Sequence, residues 1–68
     1  MNWIDTPESS TIARFRYEAS TLTVEFKSGS TYEYFDVPES VFEQMKSASS
    51  KGQFLAQNIK GAYRYARV

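Results

Sequence analysis

The sequence predicts an α+β fold: an antiparallel three-stranded meander followed by two short helices and a C-terminal extended segment or fourth strand. Three features of the chain point to it. Apolar and polar side chains alternate with period two from Ile12 to about residue 36, the spacing turns helical after Pro38, and alternation returns between Ala62 and Val68. With 68 residues, 41% hydrophobic and 24% charged, there is room for one core, so residues 1–68 read as a single domain with residues 1–9 as a lead-in. Five Phe, five Tyr and one Trp must supply that core, because neither cysteine nor histidine is present to staple it with a disulfide or a zinc site.

Trp3 and Ile4 precede the breaker cluster Thr6-Pro7-Glu8-Ser9-Ser10, which reads as a lead-in rather than an element. Ala13, Phe15 and Tyr17 alternate with Arg14 and Arg16 in a first strand from Ile12 to Tyr17. After a turn at residues 18–21, Leu22, Val24 and Phe26 alternate with Thr23, Glu25 and Lys27 in a second strand rich in β-formers. Ser28-Gly29-Ser30 closes it, and a third strand at residues 31–36 carries Tyr32 and Tyr34 on one face. Requiring the apolar faces to coincide sets a register, since a one-residue slip turns every core residue outward. Tyr17 then faces Leu22, Phe15 faces Val24, Ala13 faces Phe26, Phe26 faces Tyr32 and Val24 faces Tyr34. The reverse face, with Arg14 opposite Glu25 and Glu25 opposite Glu33, is expected to be solvated.

Pro38 suits the first position of a helix and Glu39 its positive end. Val41, Phe42, Met45 and Ala48 make one apolar stripe. Ser50 and Gln53 have the form of a capping box, so a second helix starts there, with Phe54, Leu55 and Ile59 on its buried face and Gly61 just past its end. The expected core is Phe15, Leu22, Val24, Phe26, Val41, Phe42, Met45, Phe54, Leu55 and Ile59.

Composition narrows function by exclusion. A chain without His or Cys has no Ser/His/Asp triad, no thiol nucleophile and no imidazole or thiolate metal site, and no other residue set names a reaction, so no catalytic residue and no cofactor are expected. No apolar run approaches the roughly 20 residues of a membrane span, and Met1 to Asp5 has no signal-peptide form, which makes the cytoplasm the default compartment. Net charge is zero but unevenly spread: all eight acids lie within residues 1–45, whereas residues 46–68 hold Lys46, Lys51, Lys60, Arg64 and Arg67 and no acid.

Tyr63-Arg64-Tyr65-Ala66-Arg67 interleaves aromatics with guanidinium groups, a composition suited to phosphate contact and base stacking, and Lys46, Lys51 and Lys60 extend the basic set. The plain alternative is a terminal strand that completes a sheet and leaves its arginines in water. Ser50-Lys51-Gly52 has groups that suit a phosphate, but a Walker spacing is absent and a helix cap accounts for the same residues.

The ordered set Ser9-Ser10-x-Ile12, Tyr17, Leu22-x-Val24-x-Phe26-x-x-Gly29, Tyr32-x-Tyr34, Val37-Pro38, Ser50-x-Gly52-x-Phe54 and Ile59-x-x-x-Tyr63 resembles the KTSC domain, over roughly residues 9–66. That family is named after its occurrence at the C-terminus of some lysyl-tRNA synthetases and also exists as a free-standing bacterial protein. The resemblance marks Tyr32 and Tyr34 as motif residues, although the register turns both toward the core. It implies no established activity, and RNA binding only through attachment to a tRNA enzyme. The resulting expectation is a non-catalytic, weak RNA- or tRNA-binding module that uses Lys46, Lys51, Lys60, Tyr63, Arg64, Tyr65 and Arg67. The alternative is a protein–protein interaction module using an exposed sheet edge or the acidic reverse face.

Overall fold

The alternating segments become one antiparallel sheet in the computed structural model, which describes residues 3–68. Its strands, adjacent in chain order, are β1 (Ile4–Asp5), β2 (Ile12–Glu18), β3 (Thr21–Phe26), β4 (Thr31–Tyr34) and β5 (Tyr65–Arg67). Between β4 and β5 run α1 (Glu39–Ser47) and α2 (Lys51–Phe54), the latter continuing into a π-helical turn at Leu55–Ile59. The α+β class is as expected, but the sheet has five strands. The lead-in contributes β1, paired with β2 through Ile4 opposite Phe15, and the C-terminal segment closes the other edge as β5.

Between β2 and β3 the expected pairs Tyr17–Leu22, Phe15–Val24 and Arg14–Glu25 form, and then a bulge at Ala13 brings Ile12, not Ala13, opposite Phe26. The bulge places the larger Ile12 in the core and turns two carbonyls out of the ladder. Thr6 satisfies both. Its amide donates to the Ala13 carbonyl at 3.1 Å, and its hydroxyl donates to the Ile12 carbonyl at 2.6 Å. Thr6 is thereby fully buried within a segment whose composition reads as a loop.

The β3–β4 pairing differs from expectation by two residues: Val24 lies opposite Tyr32 and Leu22 opposite Tyr34. The turn closes early, with the Phe26 amide donating to the Ser30 carbonyl at 2.8 Å and Gly29 in a left-handed conformation at φ 103°. A two-residue slide preserves side-chain parity, so the face assignment survives although the partners change. Glu33 consequently faces Thr23 rather than Glu25.

The Pro38 ring stands at the N-cap of α1, one position earlier than the sequence suggests. Ser50 caps α2 by accepting from the Gln53 amide at 3.3 Å. Gly61, at φ 80°, turns the chain back toward the sheet after the π-helical turn. Helices and sheet enclose Ile12, Phe15, Leu22, Val24, Val37, Phe42, Met45, Leu55 and Ile59, with Tyr17 and Tyr34 at the margin of the same cluster. Phe42 stacks on Tyr17 at 4.8 Å and meets Phe15 edge-on at 6.0 Å, while the Tyr17 hydroxyl donates to the Val37 carbonyl at 2.5 Å. Phe26, Val41 and Phe54 are corrected to half-buried positions packed against this core.

Candidate functional site

Because β5 runs antiparallel to β4, Tyr65 pairs with Tyr34 and Arg67 with Tyr32. All four side chains therefore leave the sheet on its helix-bearing face. The three tyrosine rings form a triangle, with centroids 6.4 Å apart for Tyr32–Tyr34, 5.8 Å for Tyr32–Tyr65 and 5.9 Å for Tyr34–Tyr65. Phe26 meets Tyr32 edge-on at 5.7 Å. Exposure rises steeply across the triangle, from 3% at Tyr34 to 61% at Tyr65. The most buried ring anchors the group, and the most exposed one presents its surface to a ligand.

These rings border a cleft of about 560 Å³ whose lining includes Ser28, Ser30, Lys60 and Gly61. Its volume is that of an ordinary small-ligand site. Lys60 lies above the Phe26 ring, with its ammonium 5.7 Å from the centroid, and the Arg67 guanidinium donates to the Ser30 hydroxyl at 3.1 Å. Cationic groups thus stand at the margins of an aromatic floor. Burial, reinforced by charge repulsion from neighbouring Tyr32 and Tyr65, raises the pKa of Tyr34 above the ordinary tyrosine value, and like any tyrosine hydroxyl it can donate at neutral pH.

The structure gathers only part of the basic set into this site. Lys60, Tyr65 and Arg67 join the motif residues Tyr32 and Tyr34, and Lys51 lines an adjoining cleft that shares Phe26 and Lys60. Arg64 points to the reverse face, where it pairs with Asp36 at 2.9 Å and lies 5.8 Å from the Phe35 ring centroid. Lys46 pairs with Glu43 on α1 at 3.2 Å, apart from both clefts. Tyr63 is half-buried against the core. The reverse face carries both signs of charge: Arg14 bonds Glu25 at 3.0 Å, and the Trp3 ring lies 4.2 Å from the Arg14 guanidinium and 5.0 Å from that of Arg16. Reading it as acidic is corrected by these arginines.

Phe26, Ser28 and Ser30 were not among the site residues expected from sequence. A signal for the cleft existed in the shared period of Tyr32-x-Tyr34 and Tyr65-x-Arg67, which fall on one face once the two segments pair.

A short antiparallel sheet, two small helices on one face and a tyrosine-lined cleft define a compact α+β domain. The chain belongs to the KTSC domain family, whose model matches residues 8–63. A crystal structure of a KTSC domain protein from Yersinia pestis is 31% identical and superposes with a TM-score of 0.88, covering 98% of this chain and 96% of that one. Lysine–tRNA ligases of Trichormus variabilis and Nostoc punctiforme are each 50% identical over 64 residues, which is 91% of this chain but 11% of theirs. The chain thus spans about a ninth of these curated relatives. A protein of Tsukamurella paurometabola is 36% identical over 59 residues, covering 84% of this chain and 88% of that protein.

Proposed function

We propose that this domain is a non-catalytic module that binds an unpaired stretch of RNA, tRNA foremost, in the cytoplasm. The observation that carries the reading is the convergence of Tyr32, Tyr34 and Tyr65 on one cleft flanked by Lys60 and Arg67. Tyr65 offers a stacking surface worth roughly 1–3 kcal/mol per base, Tyr34 supplies a protonated hydroxyl, and the cations meet the backbone phosphates. The kinship with lysine–tRNA ligases supports RNA as the ligand class.

The reading is tested by NMR titration of isotope-labelled protein with short single-stranded RNA and with bulk tRNA, at low and near-physiological salt. Amide shifts confined to Phe26–Tyr34, Lys60–Arg67 and the surroundings of Lys51 are expected. With Lys51, Lys60 and Arg67 neutralising phosphates, log K should fall with log salt at a slope of about −2, or about 20-fold between 50 and 200 mM. No shifts at low salt would overturn it. Exposure of Tyr65 at 61% and Val68 at 66% along the sheet edge favours a second reading, a protein strand added beside β5. That mode predicts binding to extended peptides with little salt dependence.

A further inference from the structure

On the far side of Phe26 and Lys60 from the tyrosines lies a second cleft, of about 620 Å³, whose hydroxyls the base-stacking reading leaves unused. Two chain segments distant in sequence build it: Ser9–Thr11, just before β2, and Ser49–Gln53, which enters and forms the first turn of α2. Gly52 permits their approach, because a Cβ there would stand 2.7 Å from the Thr11 hydroxyl. Ser9 and Ser50 use their hydroxyls on backbone amides. The hydroxyls of Ser10, Thr11 and Ser49 bond to no protein group among the described residues. The Lys51 ammonium donates to the Ala48 carbonyl at 2.9 Å, and Lys60 lies on the wall common to both clefts.

Hydroxyls and ammonium groups are donors, and among the described residues Glu8 is the one carboxylate in this lining. Such a set fits phosphate oxygens far better than a cation or an apolar group, because charge-assisted bonds to phosphate are the strong ones. We propose that this hydroxyl-lined cleft holds a backbone phosphate next to the nucleotide whose base occupies the tyrosine cleft. The unit recognised is then one dinucleotide step of a single strand, laid across Phe26 and held at its centre by Lys60. This inference rests on the RNA reading above, but it turns on Ser10, Thr11 and Ser49, which that reading does not use, and fails separately.

The test compares a nucleoside, a dinucleoside monophosphate and inorganic phosphate by NMR titration of the intact protein. The nucleoside is expected to shift Tyr32, Tyr65 and Arg67 alone, whereas the dinucleotide also shifts Ser10, Thr11, Ser49 and Lys51 and binds at least tenfold more tightly. Thr11→Val and Ser49→Ala, each checked for an unchanged urea midpoint, should remove about threefold to tenfold of that gain, the worth of one hydrogen bond, and leave nucleoside affinity as it was. Inorganic phosphate should shift the hydroxyl cleft weakly and be displaced by the dinucleotide. If the dinucleotide moves only the tyrosine cleft and gains no affinity over the nucleoside, the phosphate site is overturned while RNA binding stands. Phosphate that saturates the hydroxyl cleft and is not displaced overturns the coupling of the two clefts. If neither nucleoside, dinucleotide nor longer RNA moves any resonance, the RNA reading itself has failed.

Discussion

Tyr34 shows how one side chain couples stability to the site. Its ring is packed at 3% exposure between core and cleft, and burial, with charge repulsion from Tyr32 and Tyr65, disfavours its phenolate. In the unfolded chain the hydroxyl ionises near pH 10, whereas in the fold it ionises higher, so the unfolded state gives up the proton first. This contribution to stability is therefore complete below about pH 10 and lost as pH climbs through the folded value. Urea midpoints measured from neutral pH upward should stay level with respect to this group and fall above about pH 10, and Tyr34→Phe should make the fall shallower. An equal fall in both proteins would show that Tyr34 is not its source. Thr6 acts at the same scale but in structure alone, satisfying the two carbonyls that the Ala13 bulge frees.

Among the elements, the β2–β3 hairpin stores removable strain. Its two turn residues, Ala19 and Ser20, have φ of 51° and 64°, left-handed values that favour Asn and Gly. The hairpin holds this turn because Tyr17–Leu22 and Phe15–Val24 bury their side chains on either side, and because the Val37 amide donates to the Ser20 carbonyl at 2.9 Å. Ala19→Asn combined with Ser20→Gly should raise stability by about 1–2 kcal/mol, read as a higher urea midpoint with unchanged slope. An unchanged midpoint would mean that the left-handed pair carries no strain. The hairpin itself was legible from the alternation of Phe15-x-Tyr17 and Leu22-x-Val24. The bulge was not, because it answers to Thr6, a partner contributed by a segment whose Pro7 and serines read as loop.

At the scale of the whole molecule, folding splits the basic C-terminal third into two populations. Lys46 and Arg64 are drawn to Glu43 and Asp36, while Lys51 and Lys60 line the two adjoining clefts and Arg67 bonds Ser30 at the edge of the tyrosine cleft. Exposed ion pairs are worth little to stability, but they lower the positive potential that a polyanion meets. Lys60→Gln with Arg67→Gln should therefore weaken RNA binding more than tenfold and flatten the salt slope by about 1.4. Lys46→Gln with Arg64→Gln should leave both within about twofold. Equal losses in the two double variants would show a diffuse electrostatic surface instead of a cleft.

Outside the Ala13 bulge, local sequence by itself determined which side chains share a face, where the helices run and where Gly61 stops the second one. Period two and period 3.6 are properties of neighbouring residues, and strand parity withstands even the two-residue slide between β3 and β4. Only the tertiary structure decided that Ile4 pairs beside Phe15, that Tyr65 and Arg67 lie beside Tyr34 and Tyr32, and that Thr11 approaches Gly52. Those contacts join segments far apart in the chain, and the exposed amides and carbonyls of a sheet edge accept any extended segment of suitable length. Which segment docks there depends on how the helices and turns bring the chain back, and no local period records that path.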